Sequence, residues 1–319
     1  MRNFFRQLIV LATGLCAGMA SAQTYPDKPI NVIIPFPPGI VDGYARLVAT
    51  KAGAILGQPM VFRNQAGAGQ RIGTDVLAKS PKDGYTIGVV TNAGVVSGAT
   101  LAANVPYDPL KDLAYLTQIF ESHYLVNTHP ASGYKTLRAL VDAGRATPDK
   151  VNFGSTGIGT GFHLATEQFV FAAGMKALHV PYRGESPLLT DLIGGQVDFA
   201  FSSPASQQMV EQGKLVALAY TGEKRMASLP NVPTVKELGI PHVSSGWLGF
   251  AVPAGVPAPI RERLIAALTA AVNDPDVVAN LTRSGGEPRS LSGDAFAARV
   301  KREIDELREL NKSLKLILD

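Results

Sequence analysis

The first junction, residues 33–46 (IIPFPPGIVDGYAR), joins an apolar run of strand length to a helix-like segment through three prolines and a glycine. The prolines fix φ and hold the connection extended, which lowers the entropy lost when a ligand orders it. A helix that starts here leaves several backbone N–H groups unpaired and carries about half a positive charge at its first turn. This junction therefore favours a bound carboxylate or phosphate. The alternative is that it is a rigid connector that binds no ligand.

Two residues of the first junction have further predicted roles. Gly39 lets a ligand approach the main chain closely. Asp42 fits the N-cap position, where its side chain would accept a hydrogen bond from an amide of the first helical turn.

The second junction, residues 151–169 (VNFGSTGIGTGFHLATEQF), has the same organisation. A strand is followed by a glycine-rich turn with three hydroxyl side chains, and then by a helix. Hydroxyls and free amides at a helix start suit an anion. Two such loops could hold the two sides of one ligand, and because neither could bury it alone, we expect the parts that carry them to close on it.

Strand-length apolar runs alternate with helix-like segments through most of the chain. This order predicts an α/β fold with mainly parallel sheets flanked by helices. The alternation restarts near residue 134, and the tail from about residue 257 is helical and poor in strands. We therefore predict two lobes, the first formed by residues 23–125 with 226–319 and the second by residues 126–225.

Residues 1–22 have the pattern of a cleaved secretory signal. Arg2 and Arg6 precede the apolar run LIVLATGLCAGMA, and the small residues at 20 and 22 suit signal peptidase. The run is shorter than the roughly 20 apolar residues that span a bilayer. We predict export, with cleavage near Ala22.

Composition excludes several kinds of site. The one cysteine, Cys16, lies inside the predicted signal, so the mature chain would have no disulfide, thiolate metal site or cysteine nucleophile. The formal net charge of +4 falls to +2 when Arg2 and Arg6 are removed, and the basic residues are scattered, so binding to nucleic acid is unsupported. The histidines show no metal-ligand spacing, and no G-x-S-x-G motif occurs.

Several segments resemble, in collinear order, the tripartite tricarboxylate transporter substrate-binding receptors, also called Bug receptors. The most specific are HVPYRGESPLLTDLIGGQVDFAF at 179–201 and LPNVPTVKELGI at 229–240. The resemblance implies a two-lobed periplasmic binding protein (type II, Venus flytrap) that encloses a small organic carboxylate between lobes joined by crossing strands. It also implies a monomer without catalytic residues, cofactor or metal, which delivers its ligand to membrane transporter subunits or to a sensor protein.

The resemblance further implies that the two junctions hold the ligand through backbone amides, small hydroxyls and bridging water. From the first junction it assigns Phe36, Pro37, Pro38, Gly39, Ile40 and Asp42. From the second it assigns Ser155, Thr156, Gly157, Ile158, Gly159, Thr160 and His163. We also expect Thr91, Tyr182, Ser202 and Ser203 on the wall of the pocket.

Two departures from the family pattern bear on the ligand. The first junction reads PGIVD, without a second glycine, so Ile40 would make the pocket more apolar and favour a ring or alkyl chain. Ser202 and Ser203 stand where relatives often have Asp and Asn, which removes an acid that could pair with an ammonium group. The predicted ligand is therefore an aromatic acid or dicarboxylate without an α-ammonium group.

Two other functions are alternatives. A secreted α/β enzyme acting on a small carboxylate or ester would need a nucleophile and a base, and no convincing pair is evident. A ligand-sensing domain of a transcriptional regulator would need a DNA-binding helix pair at the N-terminus, where the predicted signal stands.

Overall fold

The computed structural model describes residues 25–148, 150–283 and 285–317. The predicted signal, residues 1–22 with its cleavage site, lies outside the described residues. Within the described ranges, no helix has both the length and the apolar character that crossing a bilayer requires.

Eleven strands and ten α-helices make up the described fold. The strands are β1 (Ile30–Ile34), β2 (Met60–Asn64), β3 (Thr86–Thr91), β4 (Leu113–His123), β5 (Leu125–Thr128), β6 (Asn152–Ser155), β7 (Leu178–Pro181), β8 (Phe199–Ser202), β9 (Val216–Tyr220), β10 (Ser245–Pro253) and β11 (Glu287–Pro288). The helices are α1 (Ile40–Leu56), α2 (Arg71–Ala78), α3 (Gly98–Leu101), α4 (Leu137–Ala146), α5 (Gly161–Ala172), α6 (Glu185–Ile193), α7 (Gln207–Glu211), α8 (Ala258–Val272), α9 (Pro275–Arg283) and α10 (Gly293–Leu314).

The strands form two sheets, one in each lobe. The first has the order β11-β4-β10-β3-β1-β2 and the second the order β7-β6-β8-β5-β9. Both sheets are mixed, whereas the sequence predicted mainly parallel ones. The reason lies in the crossings between lobes: β10 enters the first sheet from the second lobe and runs antiparallel to β3 and β4, while β5 enters the second sheet and runs antiparallel to β8 and β9.

Successive side chains of β1 pack on opposite faces of the first sheet, and both faces are buried. Val32 and Ile34 pack on one side with α1 and α8, and Ile33 packs on the other side with α2 and α10. Successive strand residues point to opposite faces, so an uninterrupted apolar run suits a sheet covered by helices on both sides. The C-terminal helices α8 to α10 thus pack on the first sheet.

The second lobe has its own aromatic core. Phe153, Phe199 and Phe201, from β6 and β8, are fully buried with residues of α4 and α5. Val235 and Ile240 pack into the same cluster, so the segment before β10 lies against the second lobe. The lobe bounds derived from the sequence stay a prediction, and this packing favours extending the second lobe past residue 225.

The two crossing segments are hydrogen-bonded to each other where they pass between the lobes. The Tyr124 amide, between β4 and β5, donates to Thr221 Oγ1 over 2.8 Å, and the Thr221 amide donates back to the Tyr124 carbonyl oxygen over 2.9 Å. Thr221 Oγ1 also donates to the carbonyl oxygen of Ser244, just before β10. Tyr124 and Thr221 are buried, so these bonds fix a narrow connection between the lobes.

An ion-pair network fastens α10 to the first sheet beside this connection. Arg299 Nη2 lies 2.8 Å from Glu121 Oε1, and Arg299 Nε lies 2.7 Å from Glu303 Oε1. Trp247 Nε1 donates to Glu303 Oε2 over 2.8 Å. Burial raises the pKa of Glu121, but the hydrogen bond and charge of Arg299, together with Ser245 and His123, outweigh it and lower the pKa to about 2.

Removing Arg299 should therefore destabilise the protein strongly. Arg299→Ala leaves Glu303 without its cationic partner and Glu121 with only the more exposed Arg289, and breaking a buried pair in this way costs about 3 kcal/mol. Arg302→Ala, on the same helix, is the matched control because its pair with Glu306 is 63% exposed on both sides. That control should change the free energy of unfolding by less than about 0.5 kcal/mol in urea denaturation. Equal effects of the two substitutions would contradict this account.

Candidate functional site

A cleft of about 930 Å³ lies between the two lobes. Both lobes supply its walls. From the first lobe and the crossing it is lined by Val41, Tyr44, Ala68, Gly69, Gln70, Arg71, Thr91, Asn92, Ala93, Phe120, Ser122, Tyr124, Gly246, Trp247, Leu248 and Ile317. From the second lobe it is lined by Thr156, Ile158, Gly159, Thr160, Gly161, Phe162, Glu185, Ser203, Pro204 and Ala205.

A larger groove, of about 1580 Å³, also contacts both lobes, along α10 and the crossing segments. Its walls include Glu121, Glu303, Arg289 and Arg299, whose charges balance within one ion-pair network. The smaller cleft is the candidate site because it contains residues of both junctions.

The first junction is held by a polar network, and this corrects the predicted role of Asp42. The N-cap of α1 is Gly39, without a side-chain capping bond, and Asp42 lies inside the first turn. Its carboxylate accepts from Arg46 Nε over 2.8 Å and from Asn64 Nδ2 over 2.9 Å. Asn64 Nδ2 also donates to the Phe36 carbonyl oxygen, so the network fixes the proline-rich loop from the neighbouring strand.

The first helical residues of α1 line the cleft, but the proline-rich loop before them does not. Val41 and Tyr44 line the cleft, whereas Phe36, Pro37, Pro38 and Gly39 are not among its described lining residues. Phe36 packs against the core of the first lobe, and the next three residues are exposed. Their assignment to ligand binding, like that of Ile40 and Asp42, stays a prediction.

The second junction lies directly on the cleft. Thr160 is the N-cap of α5, and its hydroxyl accepts from the His163 amide over 3.4 Å. Thr156, Ile158, Gly159 and Thr160 line the cleft, followed by Gly161 and Phe162 in the first turn of the helix. The first amides of a helix have no intrahelical partner, so this end of α5 presents donors and positive potential to the cleft.

Some amides of the second junction are already occupied. The Gly157 amide donates to Ser155 Oγ, the Thr160 amide donates to the Gly157 carbonyl oxygen, and the Gly159 amide donates to His163 Nδ1. These bonds hold the loop in shape. The loop is therefore organised before any ligand binds, which reduces the entropy that binding must remove.

His163, Ser155 and His179 lie behind this loop and not in the cleft. His163 and Ser155 are buried, and the rings of His163 and His179 stack with centroids 3.9 Å apart. His179 Nε2 lies 2.7 Å from Ser155 Oγ, which resembles a nucleophile and base. Ser155 is 0% exposed, however, so a substrate cannot reach its hydroxyl in this arrangement. The trio supports the loop.

Sequence reasoning missed a third wall, the turn at residues 67–71. Ala68, Gly69 and Gln70 all have φ in the left-handed region, at 46°, 58° and 76°. A side chain there costs free energy, and such strain clusters at ligand sites. The Thr91 hydroxyl donates to Gln70 Oε1 over 2.5 Å and fixes the turn. The repeated glycines of this segment were the available signal.

Four predicted wall residues have different surroundings. Thr91 and Ser203 line the cleft. Ser202 is fully buried behind it and hydrogen-bonded to Asn127 and Ser206. Tyr182 is not among the described residues that line the cleft. Its ring packs beside Gly154 of β6, so closely that a Cβ added to this glycine would lie 3.2 Å from it.

Glu185, which the sequence reasoning did not select, lines the cleft next to Ser203. Its Oε1 accepts from the Ser203 amide over 2.6 Å. A carboxylate from the first turn of α6 therefore lies beside Ser203.

Aromatic rings form the apolar part of the cleft. Tyr44 stacks on Phe120 with centroids 4.9 Å apart, and the ring centroids of Tyr124 and Phe162 lie 4.9 Å apart beside the core of the second lobe. A Cβ at Gly246 would lie 2.9 Å from Tyr124 Oη, so the small residue leaves room for this ring. The cleft combines apolar walls with polar helix starts, a common arrangement in small-molecule sites. In the described part of the chain, no group of three or more His, Cys, Asp or Glu side chains could hold a metal ion.

His179 predicts a pH-dependent stability. Burial and the neighbouring His163 lower the pKa of His179 from 6.5 to about 4, so the unfolded chain binds more protons between these values. Stability should therefore fall as pH drops from 6.5 towards 4. His179→Gln should reduce this fall without removing it, since burial also lowers the pKa of His242 to about 4.

The measurement is the change in urea midpoint between pH 7 and pH 5, not the midpoint itself, because the substitution also alters the bond to Ser155. The unmodified protein at the same two pH values is the reference. A His179→Gln variant with the same pH dependence as the unmodified protein would refute the assignment.

Comparison with known proteins shows the family and the fold of this chain. The chain matches the family described as "Tripartite tricarboxylate transporter family receptor" over residues 44–316. It is 35% identical to protein BugT of Bordetella pertussis over 315 residues, covering 96% of this chain and 97% of BugT. A protein of R. palustris solved with adipate aligns with a TM-score of 0.78 and 28% identity, covering 92% of this chain and 99% of that one. MatC of Rhodopseudomonas palustris, solved with bound malate, aligns with a TM-score of 0.75 and 26% identity, covering 89% and 99%.

These matches confirm the predicted two-lobed periplasmic binding-protein fold and the predicted resemblance. The family and its structural neighbours are solute-binding receptors and not enzymes, so the enzyme alternative has no support. The family is periplasmic; the cleavage site near Ala22 stays a prediction. The chain belongs to the tripartite tricarboxylate transporter family receptors.

Proposed function

We propose that this receptor captures a small organic acid in the cleft between its lobes and delivers it to a membrane transporter or a sensor protein. The observation that carries the proposal is that two helix starts, those of α1 and α5, meet one cleft from opposite lobes. Each start offers unpaired amides and positive potential, which together suit a carboxylate. The aromatic walls suit the carbon skeleton. We also propose that the receptor acts as a monomer and binds no nucleic acid.

The kind of acid is inferred from the ligands of structurally similar proteins and from the side chains that line the cleft. Adipate and malate occupy relatives that share the fold at 28% and 26% identity. The exposed apolar side chains of Val41 and Ile158 border the cleft. This surface favours an alkyl chain or a ring over a heavily hydroxylated acid, because burying hydroxyls without partners is unfavourable.

A thermal-shift screen of the purified protein against mono- and dicarboxylates tests the proposal. A ligand at 100 times its Kd adds about 2.7 kcal/mol of stability. Thr156→Asp places a negative charge on the second junction and should abolish the shift given by the best acid. Thr190→Asp, on the exposed face of α6, makes the same change outside the cleft and should leave the shift intact. An unchanged shift in Thr156→Asp would place the acid elsewhere.

Ligand binding should also bring the lobes together, because the two helix starts belong to different lobes. Solution scattering should show a smaller radius of gyration with a saturating acid than without it. The Thr156→Asp protein is the control and should show no change on addition of the same acid. An equal radius of gyration in both states of the unmodified protein would rule out closure.

A further inference from the structure

The described lining of the cleft contains two charged side chains, one from each lobe. Arg71 begins α2 in the first lobe, and Glu185 begins α6 in the second. The helix starts favour the carboxylate of a ligand, whereas the carboxylate of Glu185 repels a second acidic group placed close to it. The helix starts and Glu185 together therefore suit a ligand with unlike ends.

Glu185 keeps acceptor capacity for a ligand. Its Oε1 accepts from the Ser203 amide over 2.6 Å, and among the described residues no second hydrogen bond to this carboxylate is present. An ionised carboxylate has two oxygens and about four acceptor sites. The Ser203 bond holds the side chain against the wall of the second lobe, so that the group is positioned before a ligand arrives.

We propose that Glu185 is a specificity-determining residue that pairs with a positively charged nitrogen on the ligand, so that the receptor selects amino-substituted acids over dicarboxylates. This inference rests on the proposed function and replaces the sequence-based prediction of a ligand without an ammonium group. That prediction depended on the missing acid at Ser202 and Ser203, and Glu185 supplies an acid beside Ser203. Burying an ammonium group is strongly unfavourable without such a partner.

A purely structural role for Glu185 is the rival explanation. An acid in the first turn of a helix is stabilised by the helix dipole, and the bond to Ser203 links α6 to the end of β8. Glu185→Gln separates the two roles. The amide oxygen of glutamine can still accept from Ser203 at the same length, whereas the charge that would pair with the ligand is removed.

The experiment is calorimetry of the unmodified protein, Glu185→Gln and the control Glu262→Gln with acids of matched length. Glu262 is exposed on α8, so its substitution makes the same charge change away from the cleft. The four-carbon set is butanoate, 2-aminobutanoate, 4-aminobutanoate and succinate, and the six-carbon set is hexanoate, 2-aminohexanoate, 6-aminohexanoate and adipate.

In the unmodified protein and in Glu262→Gln, the tightest ligand of each set should be an amino-substituted acid, by about tenfold over its unsubstituted match. Glu185→Gln should lose that preference and bind the dicarboxylates at least as tightly as the amino acids. Tightest binding of a dicarboxylate to the unmodified protein, or an unchanged preference in Glu185→Gln, would overturn the inference and leave the proposed function standing. Failure of every acid to bind any of the three proteins would refute both.

Discussion

The hydrogen bonds between the two crossing segments set the geometry on which the binding site depends. The Thr221 amide donates to the Tyr124 carbonyl oxygen, and the Thr221 hydroxyl accepts from the Tyr124 amide and donates to the carbonyl oxygen of Ser244. Both segments therefore pass between the lobes at one buried place. β4 and β10 are antiparallel neighbours in the first sheet, and residues from a helix start of each lobe line the same cleft.

A weak contact across the lobes complements this connection. Ser97 Oγ lies 3.2 Å from the Gly159 carbonyl oxygen and 3.1 Å from that of Ala93 in its own lobe, so the second junction touches the first lobe. One such neutral hydrogen bond contributes only about 1 kcal/mol. It can be exchanged for contacts with a ligand, whereas the buried ion pairs of α10 hold the first lobe rigid beside the crossing. Leu164 of α5 also packs with first-lobe residues such as Val96 and Trp247, so the lobes share an apolar contact beside this hydrogen bond.

The proposed site would hold an anion with few charged side chains. Two helix starts supply donors, and Arg71 and Glu185 place unlike charges on the two lobes. Helix starts act over about one turn, so the ligand has to meet them closely. The strained turn at residues 67–71 and the network of Asp42, Arg46 and Asn64 hold the adjoining backbone in place.

Local sequence patterns predicted much of the fold and part of the site. The apolar run of β1 and the glycine-rich turn before α5 have local causes, and both were recognised. Asp42 was assigned to the wrong position because its partner Asn64 lies on the next strand, which helix-capping rules cannot detect. Successive residues of a strand face opposite sides, and Ser202 faces the interior. Which side it faces depends on the register of β8, which local sequence patterns do not give. Glu185 was missed because its relation to Ser203 is tertiary.

A crystal structure of the protein with its tightest-binding acid tests the central claim most directly, namely that one ligand is held by both lobes in the 930 Å³ cleft. The account predicts a carboxylate oxygen within hydrogen-bonding distance of the first amides of α5, and contact between the same ligand and the first lobe at α1 or the turn at residues 67–71. A ligand bound in the larger groove along α10, or one that contacts a single lobe, would contradict it.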